Sequence, residues 1–159
     1  MRRILRETRM IAMVGASDNP ARPSYFVLKY LLEKGYVVFP VNPRLAGSEI
    51  HGQLVFADLE SIEAPIDMVD VFRPSEAAPA IAGEAVVIGA RVLWLQLGVI
   101  SEEAARIADA GGLAVVMDRC PKIEYGRLSG EVGWMGVNSR TISAKRGGML
   151  GGYQRRRIT

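Results

Sequence analysis

Apolar residues fall in short continuous runs along this chain, and between them they recur at helical spacing. Met10–Val14 is the first run and reads as a buried strand. Pro23–Lys34 follows with Val27, Tyr30 and Leu31 on one face and Lys29 and Glu33 on the other, so it predicts a helix. Pro23 suits a first helical turn and Gly35 a helix end. Tyr36–Val41 is a second strand, rich in β-branched and aromatic residues and broken by Asn42-Pro43. Ile66–Phe72 is a third, stopped by Arg73-Pro74. Ser75 can cap a helix whose regular part starts at Pro79, with Ile81, Ala85 and Ile88 at helical spacing. Val92–Leu97 is a fourth strand, ended by Gly98. Ser101 caps the next helix, Glu102 and Glu103 suit its N-terminal dipole, and Gly111-Gly112 ends it. Leu113–Met117 is the fifth strand.

Strands therefore alternate with helices. The exception is the connection between the second and third strands, which is loop-like with a short helix expected near Asp58–Ile62. Continuous apolar strands at roughly 30-residue spacing imply a parallel sheet covered on both faces. The fold class is α/β: a Rossmann-like, doubly wound domain with a mainly parallel sheet of about five strands flanked by helices. Beyond Tyr125 the pattern dissolves into glycines and arginines, and no element is assigned there.

Composition and charge narrow the picture. A length of 159 residues suits one domain with its own core. Net charge is +3 but uneven: the chain from Arg127 onward carries +6, and the part before it −3. The basic excess thus belongs to the C-terminal end, where a solvated or subunit-contacting tail is favoured over a nucleic-acid contact. The single cysteine, Cys120, rules out an intrachain disulfide framework and favours a cytoplasmic setting. Apolar runs are about half the length of a membrane helix, and the arginine-rich N-terminus does not read as a secretory signal.

In an open parallel sheet, ligands bind beyond the carboxyl ends of the strands. Gly15-Ala16-Ser17-Asp18-Asn19-Pro20-Ala21-Arg22-Pro23-Ser24 follows the first strand there. It lacks the G-x-G-x-x-G of a dinucleotide site, yet it suits an anion. Gly15 permits a close turn, Ser17, Asn19 and Ser24 can donate hydrogen bonds, and the next helix offers free amides. Arg22, and Arg73 after the third strand, can add charge-assisted bonds. An NAD site usually ends its second strand with an acid; here Asn42 stands there, with Arg44 two positions on. That disfavours NAD and suits a ribose-borne phosphate, as in NADP or coenzyme A. An Asn-Pro turn with a surface arginine remains the plain alternative.

Five stretches together resemble the small CoA-binding proteins related to the N-terminal domain of the succinyl-CoA synthetase α-subunit. They are I-A-M-V-G-A-S-D-N-P-A-R-P-S at 11–24, F-P-V-N-P-R at 39–44, D-V-F-R-P at 70–74, V-L-W-L-Q-L-G at 92–98 and D-R-C-P-K-I-E-Y at 118–125. The resemblance covers about residues 8–128. It implies binding of coenzyme A, or an acyl-CoA, through the 3′-phospho-ADP part. By analogy the loop of Gly15, Ala16, Ser17, Asn19, Arg22, Pro23 and Ser24 holds phosphates. Val41, Asn42, Pro43 and Arg44 lie near the adenosine and its ribose phosphate. Phe72, Arg73 and Pro74 line the adenine or pyrophosphate side, and Gln96, Gly98 and Val99 border the pantetheine path. On this basis residues 1–128 are a CoA-binding Rossmann-like domain, and 129–159 a basic C-terminal extension rather than an independent domain.

No catalytic residue or metal set is assigned. The ligase region of the synthetase and a counterpart of its phosphorylated histidine are missing. The one histidine, His51, lies in a loop, where a structural or solvated role is favoured. Cys120 is expected to be buried and inert rather than to pair with the CoA thiol. The favoured function is non-catalytic CoA binding, with a regulatory role open. The alternatives are an NADP-dependent oxidoreductase and an interaction factor acting through Arg155-Arg156-Arg157. The expected partner is a CoA-type small molecule. A protein partner and a homo-oligomer stay open, while nucleic acid and membrane are disfavoured.

Overall fold

The computed structural model describes residues 1–130. Two units are distinguished among the described residues, 8–119 and a second made of 1–7 with 120–130.

The first unit holds the sheet. Its strands are β1 (Met10–Val14), β2 (Val37–Val41), β5 (Met68–Val71), β6 (Val92–Leu95) and β7 (Ala114–Val116), arranged in the order β2-β1-β5-β6-β7 with every pairing parallel. Counting only these five, the order is 2-1-3-4-5, one of the two common doubly wound arrangements. The alternating, parallel α/β reading of the sequence therefore holds. Between β2 and β5 lies a small antiparallel hairpin, β3 (Glu49–Ile50) with β4 (Gln53–Leu54). The helix expected near Asp58–Ile62 is absent. Asp58 Oδ1 accepts from the Ser61 amide at 2.8 Å and Ser61 Oγ donates to the Asp58 carbonyl at 2.9 Å, so side chains close a turn instead.

The helices of this unit are α2 (Pro23–Glu33), α3 (Ala78–Val87) and α4 (Glu102–Ala110). A single turn of 3₁₀ helix at Ser75–Ala77 precedes α3, and Pro79 sits in the first turn of α3, where its missing N–H costs nothing. Ser101 caps α4 as expected, its Oγ accepting from the Ala104 amide at 3.1 Å.

Strand residues divide by parity. Ala12, Val69, Val71, Leu93 and Leu95 share a buried cluster with Ile81, Ala82 and Ala85 of α3 and Ala104 and Ala108 of α4. The small residues on the helices let α3 and α4 approach the sheet closely. The alternate positions Ile11, Met13, Met68 and Trp94 are also fully buried, and α2 packs on β2 while burying Val27, Leu28 and Leu31 outside that cluster. Both faces are covered, which is why these strands read as continuous apolar runs. One position on this second face breaks the pattern: Asp70, in the middle of β5.

The opposite end of the sheet is tied by Asp67. Its Oδ2 accepts from the Arg9 and Met10 amides at 2.8 and 2.9 Å, and its Oδ1 accepts from Arg91 at 2.9 Å. One carboxylate thus joins the starts of β1, β5 and β6.

The second unit contains α1 (Arg2–Glu7) and α5 (Pro121–Ser129), which pack on each other. Helix α5 continues past Tyr125, where the sequence pattern assigned no element. It runs to Ser129 and stops at Gly130, which adopts φ 90°. Within it Glu124 pairs with Arg127 at 2.7 Å. The basic extension from residue 131 onward lies outside the described residues. Among the described residues no helix is long and apolar enough to cross a membrane.

Candidate functional site

β1 and β5 are neighbours whose chains leave in opposite directions, toward β2 and toward β6. That makes their carboxyl ends the switch point of the sheet. Gly15 follows β1 directly and has φ 88°. A β-carbon on Gly15 would stand 2.7 Å from the carbonyl oxygen of Phe72 and 3.1 Å from Cδ of Arg73. Both the backbone angle and the crowding exclude a side chain here. The loops after β1 and β5 consequently touch, and the aliphatic stem of Arg73 lies along the glycine.

The loop after β1 is shaped by its own side chains. Ser17 Oγ accepts from the Asn19 amide at 3.1 Å, and Asn19 Oδ1 accepts from the Ala21 amide at 2.9 Å. The amides of Gly15 and Ala16 donate to the Val41 carbonyl at 3.0 and 3.3 Å. The amides of Ser17 and Asp18 make no hydrogen bond to a described residue. Asp18 is exposed. Helix α2 starts from Arg22 in extended backbone, with Pro23 in its first turn and no side chain capping it. An uncapped helix start beside free amides is a donor-rich concavity suited to an anion.

The chain after β2 is stapled to this loop. Asn42 Nδ2 donates to the Ala16 carbonyl at 2.8 Å, and its Oδ1 accepts from the Arg44 amide at 2.9 Å. Arg22, Arg44 and Arg73 are all exposed, and their side chains make no hydrogen bond or ion pair to a described residue. Pro43 and Pro74 are exposed beside them, while Ser24 and Val41 are buried and Phe72 is half-buried.

The chain after β6 forms the far edge. Asp118 Oδ1 accepts from the Gly98 amide at 2.8 Å, and Ser75 Oγ accepts from the Ile100 amide at 3.0 Å. The Val99 amide returns to the Gln96 carbonyl at 2.9 Å. Held this way, the loop buries Val99 and exposes Leu97 and Ile100 at 56% and 54%.

Beneath it lies a polar pair, of which the sequence reading placed Gln96 at the site and left Asp70 out. Gln96 Nε2 donates to Asp70 Oδ1 at 2.6 Å, and both residues are buried. Burial pushes the Asp70 carboxyl up to about 7, with the Gln96 bond pulling the other way. Asp70 Oδ2 is buried without a hydrogen-bond partner among the described residues. The signal available in the sequence was Asp70, an acid inside the apolar run Met68–Phe72. Asp118 was legible only as part of a motif; its φ of 55° and its bond to Gly98 are properties of the fold.

Among the described residues no group of His, Cys, Asp and Glu could hold a metal ion. His51 sits at the β3–β4 turn with φ 50°. Its Nε2 lies 2.9 Å from the Tyr25 carbonyl and its ring 4.2 Å from that of Tyr25. A carbonyl only accepts, so Nε2 carries the proton and His51 fastens the hairpin to α2. Cys120 is buried. The structure therefore gathers the first three predicted segments through Gly15, Asn42 and Phe72, and places Gln96, Gly98 and Val99 at the end of the next strand.

Comparison with known proteins shows the family. The family described as "CoA binding domain" matches residues 9–126. An uncharacterized protein of Bacillus subtilis (strain 168), YneT, is 39% identical over 125 residues, which is 79% of this chain and 91% of that protein. A hypothetical protein from Pyrococcus horikoshii OT3 has a solved structure with TM-score 0.77 and 38% identity, over 80% of this chain and 88% of that one. The α-subunit of an acetate–CoA ligase (ADP-forming) from Pyrococcus furiosus is 28% identical over 104 residues. That match spans 61% of this chain but 22% of the ligase subunit.

Proposed function

The chain belongs to the CoA-binding domain family, and from that premise we propose that it binds coenzyme A or an acyl-CoA through the 3′-phospho-ADP part, without chemistry of its own. The observation that carries the reading is the contact of Gly15 with Phe72 and Arg73 at the switch point. It brings free amides, an uncapped helix start and exposed guanidinium groups to one edge of the sheet. The pyrophosphate takes the amides of Ser17 and Asp18 and the start of α2, with Arg22 and Arg73 adding charge. Only the backbone of Asp18 serves there; its carboxylate is free to stay in water. Arg44, aimed by Asn42, reads the ribose 3′-phosphate. The adenosine runs between Val41–Arg44 and Phe72–Pro74, and the pantetheine arm crosses β6 past Gln96, Gly98 and Val99. The relation to a subunit named for an acetate–CoA ligase supports the same ligand class.

Titration calorimetry with CoA, dephospho-CoA, NADPH and NADH tests this. CoA is expected to bind below millimolar concentration, and dephospho-CoA more weakly. No heat with CoA would sink the reading. Tighter binding of NADPH than of CoA would favour an NADP-dependent oxidoreductase, the one other reading that Arg44 supports.

A further inference from the structure

Asp70 stands at the centre of a strand whose other residues, Met68, Val69 and Val71, are apolar and buried. Placing a carboxyl in such a position costs free energy that a valine or methionine would not. The strand register sets Asp70 beside Trp94 on β6. Gln96, two residues further on, therefore has its side chain on the same face, reaching back diagonally across the pair. The result is the 2.6 Å bond from Gln96 Nε2 to Asp70 Oδ1. A partner such as arginine would neutralise the acid. Glutamine does not; its amide is instead oriented by it. The bond from Gln96 Nε2 to Asp70 Oδ1 turns the nitrogen of that amide inward and leaves Oε1 at its other corner.

Gln96 is also the last residue before a loop held at both ends. Its own carbonyl accepts from Val99, while Asp118 holds Gly98 and Ser75 holds Ile100. An amide with a set orientation, on a set frame, at the carboxyl end of β6 is a polar reader at the ligand edge.

We infer that Asp70 is a positioning residue for the ligand site: through its bond to Gln96 it keeps the Gln96 carbonyl oxygen available to accept a hydrogen bond from a secondary-amide N–H in the arm of the ligand. This rests on the CoA-type reading above, since the pantetheine arm supplies two such amides. The orphan Asp70 Oδ2, buried just behind the same edge, marks a place where the fold tolerates an unsatisfied acceptor. Gln96 and the Asp70 carboxyl have no role in reading the phosphates, so they act on the arm alone.

Two ligands separate the cases: CoA, and adenosine 3′,5′-bisphosphate, which keeps the 3′-phosphate and the inner 5′-phosphate and lacks the arm. Calorimetry is run on the full chain and on the near-isosteric variants Asp70→Asn and Gln96→Met. Asp70→Asn releases the amide to flip, and Gln96→Met removes the acceptor while keeping the volume. Each is expected to weaken CoA about tenfold, the worth of roughly one hydrogen bond, and to leave the bisphosphate within about twofold. The Gln96 side-chain amide signals in ¹⁵N-resolved NMR of the free protein are expected to move in Asp70→Asn. Equal losses for both ligands, or no loss for either, would overturn the inference while leaving CoA binding intact. Wild-type protein that binds neither ligand would overturn the CoA reading, and this inference with it.

Discussion

Gly15 lies against Phe72 so closely that a β-carbon on the glycine would be 2.7 Å from the phenylalanine's carbonyl oxygen. Two loops distant in sequence are thereby one surface. Gly15→Ala must both adopt φ near 88° and push β1 from β5. It is expected to cost about 1–3 kcal/mol in stability. CoA binding should fall more than this loss explains, measured on the fraction still folded. Unchanged thermal stability and affinity would show that the contact is slack.

Two of the arginines at this edge, Arg73 and Arg44, should separate by ligand. Arg73→Ala is expected to weaken CoA and dephospho-CoA alike, by about tenfold, as a lost charge-assisted bond. Arg44→Ala should weaken CoA by a similar factor and leave dephospho-CoA nearly unchanged. Calorimetry on four combinations decides it, and equal effects of Arg44→Ala on both ligands would reject its phosphate role. Raising the salt should weaken the wild type more than either variant.

The two carboxylates of β5's neighbourhood titrate in opposite senses. Asp70 is raised from 3.8 to about 7 by burial, against the pull of its Gln96 bond. Its contribution to stability is therefore complete below pH 3.8 and declines as pH rises through about 7. The slope approaches about 1.4 kcal/mol per pH unit inside that window. Asp70→Asn should flatten the decline and make the protein more stable than wild type at pH 8. Parallel denaturation curves for the two proteins from pH 5 to 8 would contradict it.

Asp67 behaves the other way. Burial pushes its carboxyl up, but the amides of Met10 and Arg9, followed by Arg91, outweigh that and hold it below its ordinary value of 3.8. Its stabilisation is present above pH 3.8 and is lost as pH falls through the lowered value. Asp67→Ala leaves two strand-start amides without their acceptor and is expected to cost about 2–3 kcal/mol at pH 7. Chemical denaturation at pH 7 measures the loss, and a change under half of 1 kcal/mol, roughly the scale of an ordinary surface substitution, would show the clamp to be incidental.

Much of this fold was legible because the sheet is covered on both faces. Each main strand except β5, which carries Asp70, is an unbroken apolar run, and the proline, glycine and serine signals at Pro23, Pro79, Ser101 and Gly111 mark real helix ends. What escaped was short or used unusual chemistry. The β3–β4 hairpin has two residues a side, too few for a period to register. In α5, Gly126 and a mixed face hide the helical pattern. At Asp58–Ile62 a short helix was expected, yet Asp58 and Ser61 satisfied each other locally in a turn. The candidate site was expected as a set of strand ends, and the structure brings the ends of β1, β2 and β5 together. Which polar atoms remain free was not: the Gly15 and Ala16 amides are taken by Val41, and Asn42 works between two loops.

Asn42 has a kinetic consequence. By holding Ala16 with one end of its amide and the Arg44 backbone with the other, it joins the loops after β1 and β2 before any ligand arrives. The entropy of bringing those loops together is then spent during folding rather than at encounter. A ligand meets a finished mould, so association should be a single fast phase limited by diffusion and steered by arginine charge. Changes in affinity between variants should appear in the dissociation rate. Cutting the staple with Asn42→Ala would turn that one-step capture into a slower, two-step one.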